Sequence, residues 1–134
     1  MPFWKCYYHI TWATKHRQSI ISPAVEQIIY ASTEKKSLEM GCNVLAINGV
    51  EDHIHVAVNI PPAIAVSKWV GAAKGASSHA VNAALESSEH FQWQEGYGVL
   101  SFGEKNLEQV KEYIANQKER HQSNNLNSHL ERFE

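Results

Sequence analysis

One stretch of the sequence constrains the fold more than any other, because it combines a strand pattern with two ionisable side chains. Over residues 53–60 an apolar row alternates with other residues: Ile54, Val56, Val58 and Ile60. Successive side chains of a strand point to opposite faces, so this alternation predicts a strand with one face in a core. His53 and His55 then share the other face, with Cα atoms roughly 6.5 Å apart. Two prolines, Pro61 and Pro62, end the strand.

This histidine pair is compatible with two interpretations. Imidazole is the commonest metal ligand in proteins, and the spacing allows His53 and His55 to hold one cation. Two half-buried strand histidines without any ligand fit the same pattern. The strand by itself does not choose between them.

Capping and breaking residues delimit the other elements. We expect a first strand over residues 3–14 and a helix over 23–40, with Ser22 as its N-cap, Pro23 at its first position and Gly41 as its stop. The apolar stripe of this helix is predicted from its spacing: Val25, Ile28, Ile29, Ser32 and Leu38. Further along we expect a strand over 43–50 that forms a hairpin with the histidine strand, a helix over 63–85, a strand over 99–102 and a helix over 104–122.

The predicted order is β-α-β-β-α-β followed by a helix. This is the α+β, ferredoxin-like or RRM-like pattern, an antiparallel sheet with two helices on one face. The chain is expected to be one domain over residues 1–134, with a polar tail from about 123. Tyr7, His9 and Thr11 then join His53 and His55 on the open face of the sheet, where the last helix can dock.

Composition limits the class of protein. With 134 residues, 43% of them hydrophobic and 19% charged, the chain suits one globular domain. No apolar run is long enough for a signal peptide or a membrane span, so we expect a cytoplasmic protein with no membrane partner. A net charge of −2 does not indicate a protein that binds long duplex DNA through electrostatic attraction. Four basic residues are candidate nucleic-acid contacts, with solvated surface as the alternative: Lys15, Arg17, Lys68 and Lys74.

The last predicted helix carries a polar row beside its apolar stripe of Leu107, Val110 and Ile114. The row consists of Gln109, Tyr113 and Gln117 at four-residue spacing. Such a tyrosine is often a packing residue and such a glutamine is often solvated. Beside a histidine pair, however, two imidazoles and an amide oxygen make a three-ligand metal site. A bound cation can polarise a phosphoryl oxygen while a tyrosine hydroxyl attacks phosphorus.

These motifs carry a family resemblance that runs from about residue 6 to 122. His53-Ile54-His55 and Tyr113-Ile114-Ala115-Asn116-Gln117 resemble the His-hydrophobe-His and Tyr-x-x-x-Gln motifs of the HUH single-tyrosine transposases of small bacterial insertion sequences. This family is of the TnpA type and includes the REP-associated tyrosine transposases. The stretches at 8–17 and 67–75 are similar to its opening strand and its second helix.

The resemblance implies a function. His53, His55 and Gln117 would hold Mg²⁺ or Mn²⁺, and Tyr113 would attack single-stranded DNA to form a 5′-phosphotyrosine adduct and a free 3′-hydroxyl. The DNA would be a hairpin near the end of an insertion sequence, and the enzyme would work as a homodimer in which one subunit can complete the other's active site. The second helix is less basic than in typical members, with Ala72, Ala73 and His79 where arginine or lysine is usual.

Three alternatives remain beside this hypothesis. A domesticated relative would act on chromosomal repeat hairpins with the same chemistry. A non-catalytic RRM-like module would stack single-stranded bases on the open sheet face, using Tyr7, and would need no metal. A metal-dependent phosphodiesterase would use water as the nucleophile and leave Tyr113 without a role.

Overall fold

The computed structural model describes residues 3–85 and 90–123. Two 3₁₀ turns, Lys15–Arg17 and Glu104–Asn106, accompany the regular elements. The strands and helices in chain order are β1 Tyr7–Ala13, α1 Pro23–Glu39, β2 Asn43–Val50, β3 His53–Asn59, α2 Val66–Ala84, β4 Gly98–Phe102, α3 Leu107–Ala115 and α4 Gln117–Ser123.

The four strands form one antiparallel sheet with the order β2-β3-β1-β4. This order and the β-α-β-β-α-β succession confirm the predicted ferredoxin-like fold. The central strands β1 and β3 pair along their full lengths, from Tyr7 opposite Asn59 to Ala13 opposite His53. The histidine strand therefore lies inside the sheet, between β2 and β1, where its backbone is fixed from both sides.

The sheet separates two apolar layers. The larger layer lies between the sheet and the helices α1 and α2, and includes Trp12, Ile29 and Trp69, all fully buried. The smaller layer lies on the opposite face, where Val110 and Ile114 of α3 pack against Ala57 of β3. The last helices therefore dock on the sheet face opposite α1 and α2, as predicted.

Strand β2 contains a β-bulge, and its residues contact both apolar layers. The register shifts between Val44, opposite Val58, and Ala46, opposite Ala57, so one extra residue is accommodated. As a result Leu45 and Ala46 both pack against the smaller layer, whereas Val44 contacts the larger one. Simple alternation along β2 does not predict this arrangement.

The first strand is shorter than expected, and it begins at Tyr7 instead of residue 3. Tyr7 pairs with Asn59 on β3 and with Phe102 on β4, the last residues of those two strands. Just before Tyr7, Cys6 accepts a 3.1 Å backbone hydrogen bond from Ile60, which lies beyond the end of β3, so this contact is not part of the strand ladder.

The predicted stripe of α1 was wrong at its end. The buried positions are Val25, Ile29, Thr33 and Ser37, whereas Leu38 is 68% exposed. Four-residue steps from Val25 lead to Ser37, and Leu38 lies about 100° further round the helix. Ser37 is buried although it is polar, because its hydroxyl accepts a 2.6 Å hydrogen bond from the indole of Trp69 on α2.

The predicted single helix over 104–122 is interrupted at Asn116, between α3 and α4. The side chain of Asn48 on β2 donates a 3.0 Å hydrogen bond to the carbonyl oxygen of Ala115. This tertiary contact satisfies a carbonyl group at the end of α3.

The polar tail predicted from residue 123 lies, beyond Ser123 itself, outside the described residues. Among the helices that the structure describes, none has the length and apolar character needed to cross a membrane.

Candidate metal centre and tyrosine helix

His53 is buried on the sheet face beneath α4, and its orientation is held by the preceding residue. Its Nδ1 lies 2.7 Å from Oδ1 of Asp52. The other carboxylate oxygen of Asp52 pairs with Arg17, whose Nε and Nη2 approach it to 3.1 and 3.0 Å. A carboxylate on Nδ1 leaves Nε2 of His53 as the atom available to a ligand.

His55 is fully buried and is held from the neighbouring strand. Its Nδ1 lies 2.8 Å from Nε2 of His9 and 3.2 Å from Oγ1 of Thr11, both on β1. Thr11 is the cross-strand partner of His55, so this support follows from the strand register. Like the carboxylate on His53, these contacts engage Nδ1 and direct Nε2 away from β1.

Tyr113 on α3 is buried beside this pair. Its ring centroid lies 6.1 Å from that of His55 and 6.3 Å from that of His9, both in edge-on arrangements. Its side chain is 5% exposed, because α3 packs through Val110 and Ile114 on the same sheet face. The structure therefore brings the predicted tyrosine and the predicted histidine pair together within one chain.

Gln117, the first residue of α4, is also fully buried at this site. Its Nε2 donates a 3.4 Å hydrogen bond to the carbonyl oxygen of Tyr113, which orients the amide. Its Oε1 lies 3.0 Å from Nε2 of His121, one turn further along. Gln109, the first member of the predicted polar row, is exposed and takes no part in this cluster.

His121 is the site residue that the sequence analysis missed. Ligand atoms of His53, His55 and His121 all lie within 4.8 Å of one another. The sequence does contain a pattern that points to it, because His121 follows Gln117 at the same four-residue spacing by which Gln117 follows Tyr113. Whether it faces the site depends on the direction of α4 after Asn116, which is a tertiary property.

The donor set fits a divalent cation. Several imidazoles and one amide oxygen converge in a pocket where the sheet and α4 exclude most solvent, and neutral nitrogen and oxygen donors suit first-row metals. A cavity of about 470 Å³ opens in front of His53, lined also by Arg17, Asp52, Lys118 and His121. This cavity gives a solvent route to the cluster.

The four basic candidates are not gathered on one surface. Lys15 and Lys74 line a cleft of about 680 Å³ together with Trp93, whereas Arg17 lines the cavity at His53. Lys68 is exposed on α2 and borders neither cavity. Lys74 donates hydrogen bonds to the carbonyl oxygens of Gln94 and Gly96, at 2.7 and 3.1 Å, and burial lowers the pKa of Lys74.

The sheet face on which an RRM-like module would stack bases is covered. Tyr7 is 7% exposed and its ring stacks on Phe102, with centroids 5.6 Å apart. His9 and Thr11 are buried on the same face. Bases could reach these side chains only after α3 had left the sheet.

A sequence profile described as "Transposase IS200 like" matches residues 2–117, most of the chain. The chain belongs to the IS200-like transposase family. The Salmonella typhimurium transposase for insertion sequence element IS200 is 29% identical over 121 residues, covering 87% of this chain and 79% of that protein. The ISDra2 transposase TnpA of Deinococcus radiodurans is 24% identical over 115 residues, covering 82% of each chain.

Solved structures show the same fold. A candidate transposase from Deinococcus radiodurans superposes with a TM-score of 0.68 at 26% identity, over 87% of this chain and 93% of that one. The REP-associated tyrosine transposase bound to a REP hairpin has the same TM-score at 16% identity, over 90% of this chain and 72% of that one. The family assignment makes this IS200-like chain a transposase, a DNA-cleaving enzyme of a family that is generally metal-dependent.

Proposed function

We propose that this transposase cleaves and rejoins single-stranded DNA through a 5′-phosphotyrosine intermediate formed on Tyr113. The observation that carries the proposal is the burial of Tyr113 against His55, 6.1 Å between ring centroids, in a family of transposases. A tyrosine nucleophile conserves the energy of the phosphodiester bond in the adduct, so a second strand can be joined without a further energy source.

In the proposed cleavage step Oη of Tyr113 forms a bond to phosphorus and the bond from phosphorus to the 3′-oxygen breaks. The phenol proton passes to solvent, and the departing 3′-oxygen takes up a proton to become a hydroxyl group. Rejoining is the reverse, with a 3′-hydroxyl attacking the adduct and Tyr113 leaving. The 5′-phosphate stays on Tyr113 between the two steps.

His53, His55 and Gln117 are proposed to hold a divalent cation, Mg²⁺ or Mn²⁺. When bound, the cation would supply Lewis-acid polarisation of a phosphoryl oxygen. Asp52 and His9 would orient the two histidines through their Nδ1 atoms. Burial of the cluster supports this role, because donors held away from water need little reorganisation when the cation binds.

The proposed substrate is a single-stranded DNA hairpin at an insertion-sequence end, bound by a homodimer in the cytoplasm. The REP-associated tyrosine transposase was solved with a REP hairpin, which supports this substrate class for a relative of the same fold. Lys15, Arg17 and Lys68 are proposed phosphate contacts. Lys74 is proposed as a weaker one, because its amino group already binds two carbonyl oxygens.

The test is a denaturing gel of the purified protein mixed with labelled hairpin oligonucleotides from its own genomic flanks and Mn²⁺. We expect a covalent adduct that maps to Tyr113 and disappears with chelator. Tyr113→Phe should reduce adduct formation by at least about 10³-fold while hairpin binding persists. Tyr97→Phe, a half-buried tyrosine away from this cluster, is the matched control and should react normally.

Two outcomes would contradict the proposal. Adduct formation by Tyr113→Phe would remove this residue as the nucleophile. DNA cleavage without any adduct would indicate water as the nucleophile and a phosphodiesterase.

A further inference from the structure

We infer that His121 is a fourth protein ligand of the metal centre, so that three imidazoles and one amide oxygen hold the cation. The family profile ends at residue 117, four residues before His121. This inference rests on the proposed metal role of His53 and His55, and it adds a ligand that determines which cation the site prefers.

The spacing of the ligand atoms carries the inference. In an octahedral site with ligands about 2.1 Å from the cation, adjacent ligand atoms lie about 3.0 Å apart and opposite ones about 4.2 Å apart. Nε2 of His121 donates a 3.0 Å hydrogen bond to Oε1 of Gln117. This distance is also the spacing of two adjacent ligands, so a cation would take the place of the shared proton, with the ring proton then on Nδ1. No pair among the ligand atoms of His53, His55 and His121 is separated by more than 4.8 Å, so movements below about 1 Å would bring all of them to one centre.

The surroundings of His121 support the same role. Its ring centroid lies 4.8 Å from that of His53, and it lines the cavity at His53 together with Asp52 and Arg17. Gln117 and His121 are four residues apart on α4, so one helix face presents both donors to the sheet histidines. A metal bound between β3 and α4 would also fix α4, and with it Tyr113 at the end of α3.

A third imidazole changes the preferred cation. Imidazole nitrogen favours Mn²⁺, Co²⁺, Ni²⁺ and Zn²⁺ over Mg²⁺, which prefers oxygen donors and retains its water. We therefore expect the site to bind Co²⁺ in the presence of a hundredfold excess of Mg²⁺.

The experiment titrates the full chain with Co²⁺ alone, following the d–d absorption bands and the heat of binding, without DNA. His121→Asn should weaken Co²⁺ binding by at least about tenfold and shift the absorption bands, because one nitrogen ligand is lost. His79→Asn replaces an exposed histidine on α2 and should leave affinity and spectrum unchanged. Circular dichroism checks that His121→Asn is folded.

A second measurement needs no variant. Nitrogen-15 spectra of the histidine side chains, recorded with and without Zn²⁺, count the coordinated imidazoles directly. Three shifted rings, with His121 among them, support the inference. Shifts of His53 and His55 alone, or wild-type Co²⁺ binding by His121→Asn, would overturn it.

The outcome separates this inference from the proposed function. If the wild-type protein binds no metal, both the ligand role of His121 and the metal centre fall. If three imidazoles are coordinated but no Tyr113 adduct forms, His121 remains a ligand and only the proposed chemistry fails.

Discussion

Each histidine of the sheet pair is oriented by a different neighbour. Asp52 holds Nδ1 of His53, and the β1 residues His9 and Thr11 hold Nδ1 of His55. These contacts engage Nδ1 of both rings and leave Nε2 available to a ligand, because a partner on one ring nitrogen fixes the orientation of the ring. In the proposed metal site, Asp52, His9 and Thr11 would therefore position the two ligands.

Replacing Asp52 by asparagine should weaken metal binding. We expect Asp52→Asn to lower Mn²⁺ affinity by about 10–100-fold, because the neutral amide orients His53 less firmly and makes it less basic. Isothermal titration calorimetry with Mn²⁺ measures the change. Arg17→Gln is the control, because it removes the ion pair between Arg17 and Asp52 but keeps the contact between Asp52 and His53. An equal loss of Mn²⁺ affinity in both variants would assign the effect to the ion pair.

Gly49 permits the close approach of β2 and β3 next to His53. A Cβ atom at this position would collide with the carbonyl oxygen of His53 and lie 2.9 Å from Cγ2 of Ile54. We expect Gly49→Ala to lower the free energy of unfolding in urea by about 1–3 kcal/mol. Gly71→Ala is the control on α2, where a Cβ meets nothing within 4 Å; it should be neutral or stabilising, and a similar loss there would refute the steric explanation.

At the scale of elements, a polar cluster joins α4 to α1 and to the β2–β3 hairpin. Lys118 donates to Glu26, to Asn48 and to the carbonyl oxygen of Gly49, at 2.7, 2.9 and 3.0 Å. Tyr30 donates to Asn48, and burial together with the nearby Glu26 raises the pKa of Tyr30, so its hydroxyl remains a donor at neutral pH. This cluster holds α4 over the histidines.

Removing the lysine should loosen α4 without unfolding the sheet. We expect Lys118→Met to speed amide hydrogen exchange in α4 by up to about fivefold, because this partly exposed group contributes no more than about 1 kcal/mol. Lys111→Met, on α3, removes only a longer contact to Glu108 at 3.7 Å and serves as the control. Unchanged exchange in α4 would mean that the apolar contacts of α3 alone hold the docked position.

At the scale of the whole molecule, the sheet carries two layers of unequal size. The larger layer with α1 and α2 contains most of the buried aromatic rings, including Trp12 packed edge-on against Trp69 and Trp93. Within residues 3–85 and 90–123, the smaller layer under α3 consists of a few apolar residues next to the histidines. Such a division would allow α3 to open while the rest stays folded. The proposed reaction at Tyr113 requires such an opening, because this side chain is only 5% exposed.

Two truncations of fully buried isoleucines test this division. Ile29→Ala, in the larger layer, should lower the free energy of global unfolding by about 2–5 kcal/mol. Ile114→Ala, in the smaller layer, should instead increase hydrogen exchange in α3 before global unfolding. Equal effects of both variants on global unfolding, with no separate opening of α3, would show that the two layers unfold as one.

The order of elements, the fold and the shared face of His53 and His55 could all be predicted from the amino-acid sequence, because period-two alternation, caps and prolines act locally. Tyr113 and Gln117 were also recognisable, through helical spacing and family resemblance. The positions of His121 at the histidine cluster and of Leu38 at the surface, in contrast, depend on how the elements pack. The β2 bulge lies where this strand contacts both apolar layers, and the break at Asn116 directly follows Ala115, whose carbonyl oxygen accepts a hydrogen bond from Asn48. Such contacts join residues far apart in the chain, and no local pattern encodes them.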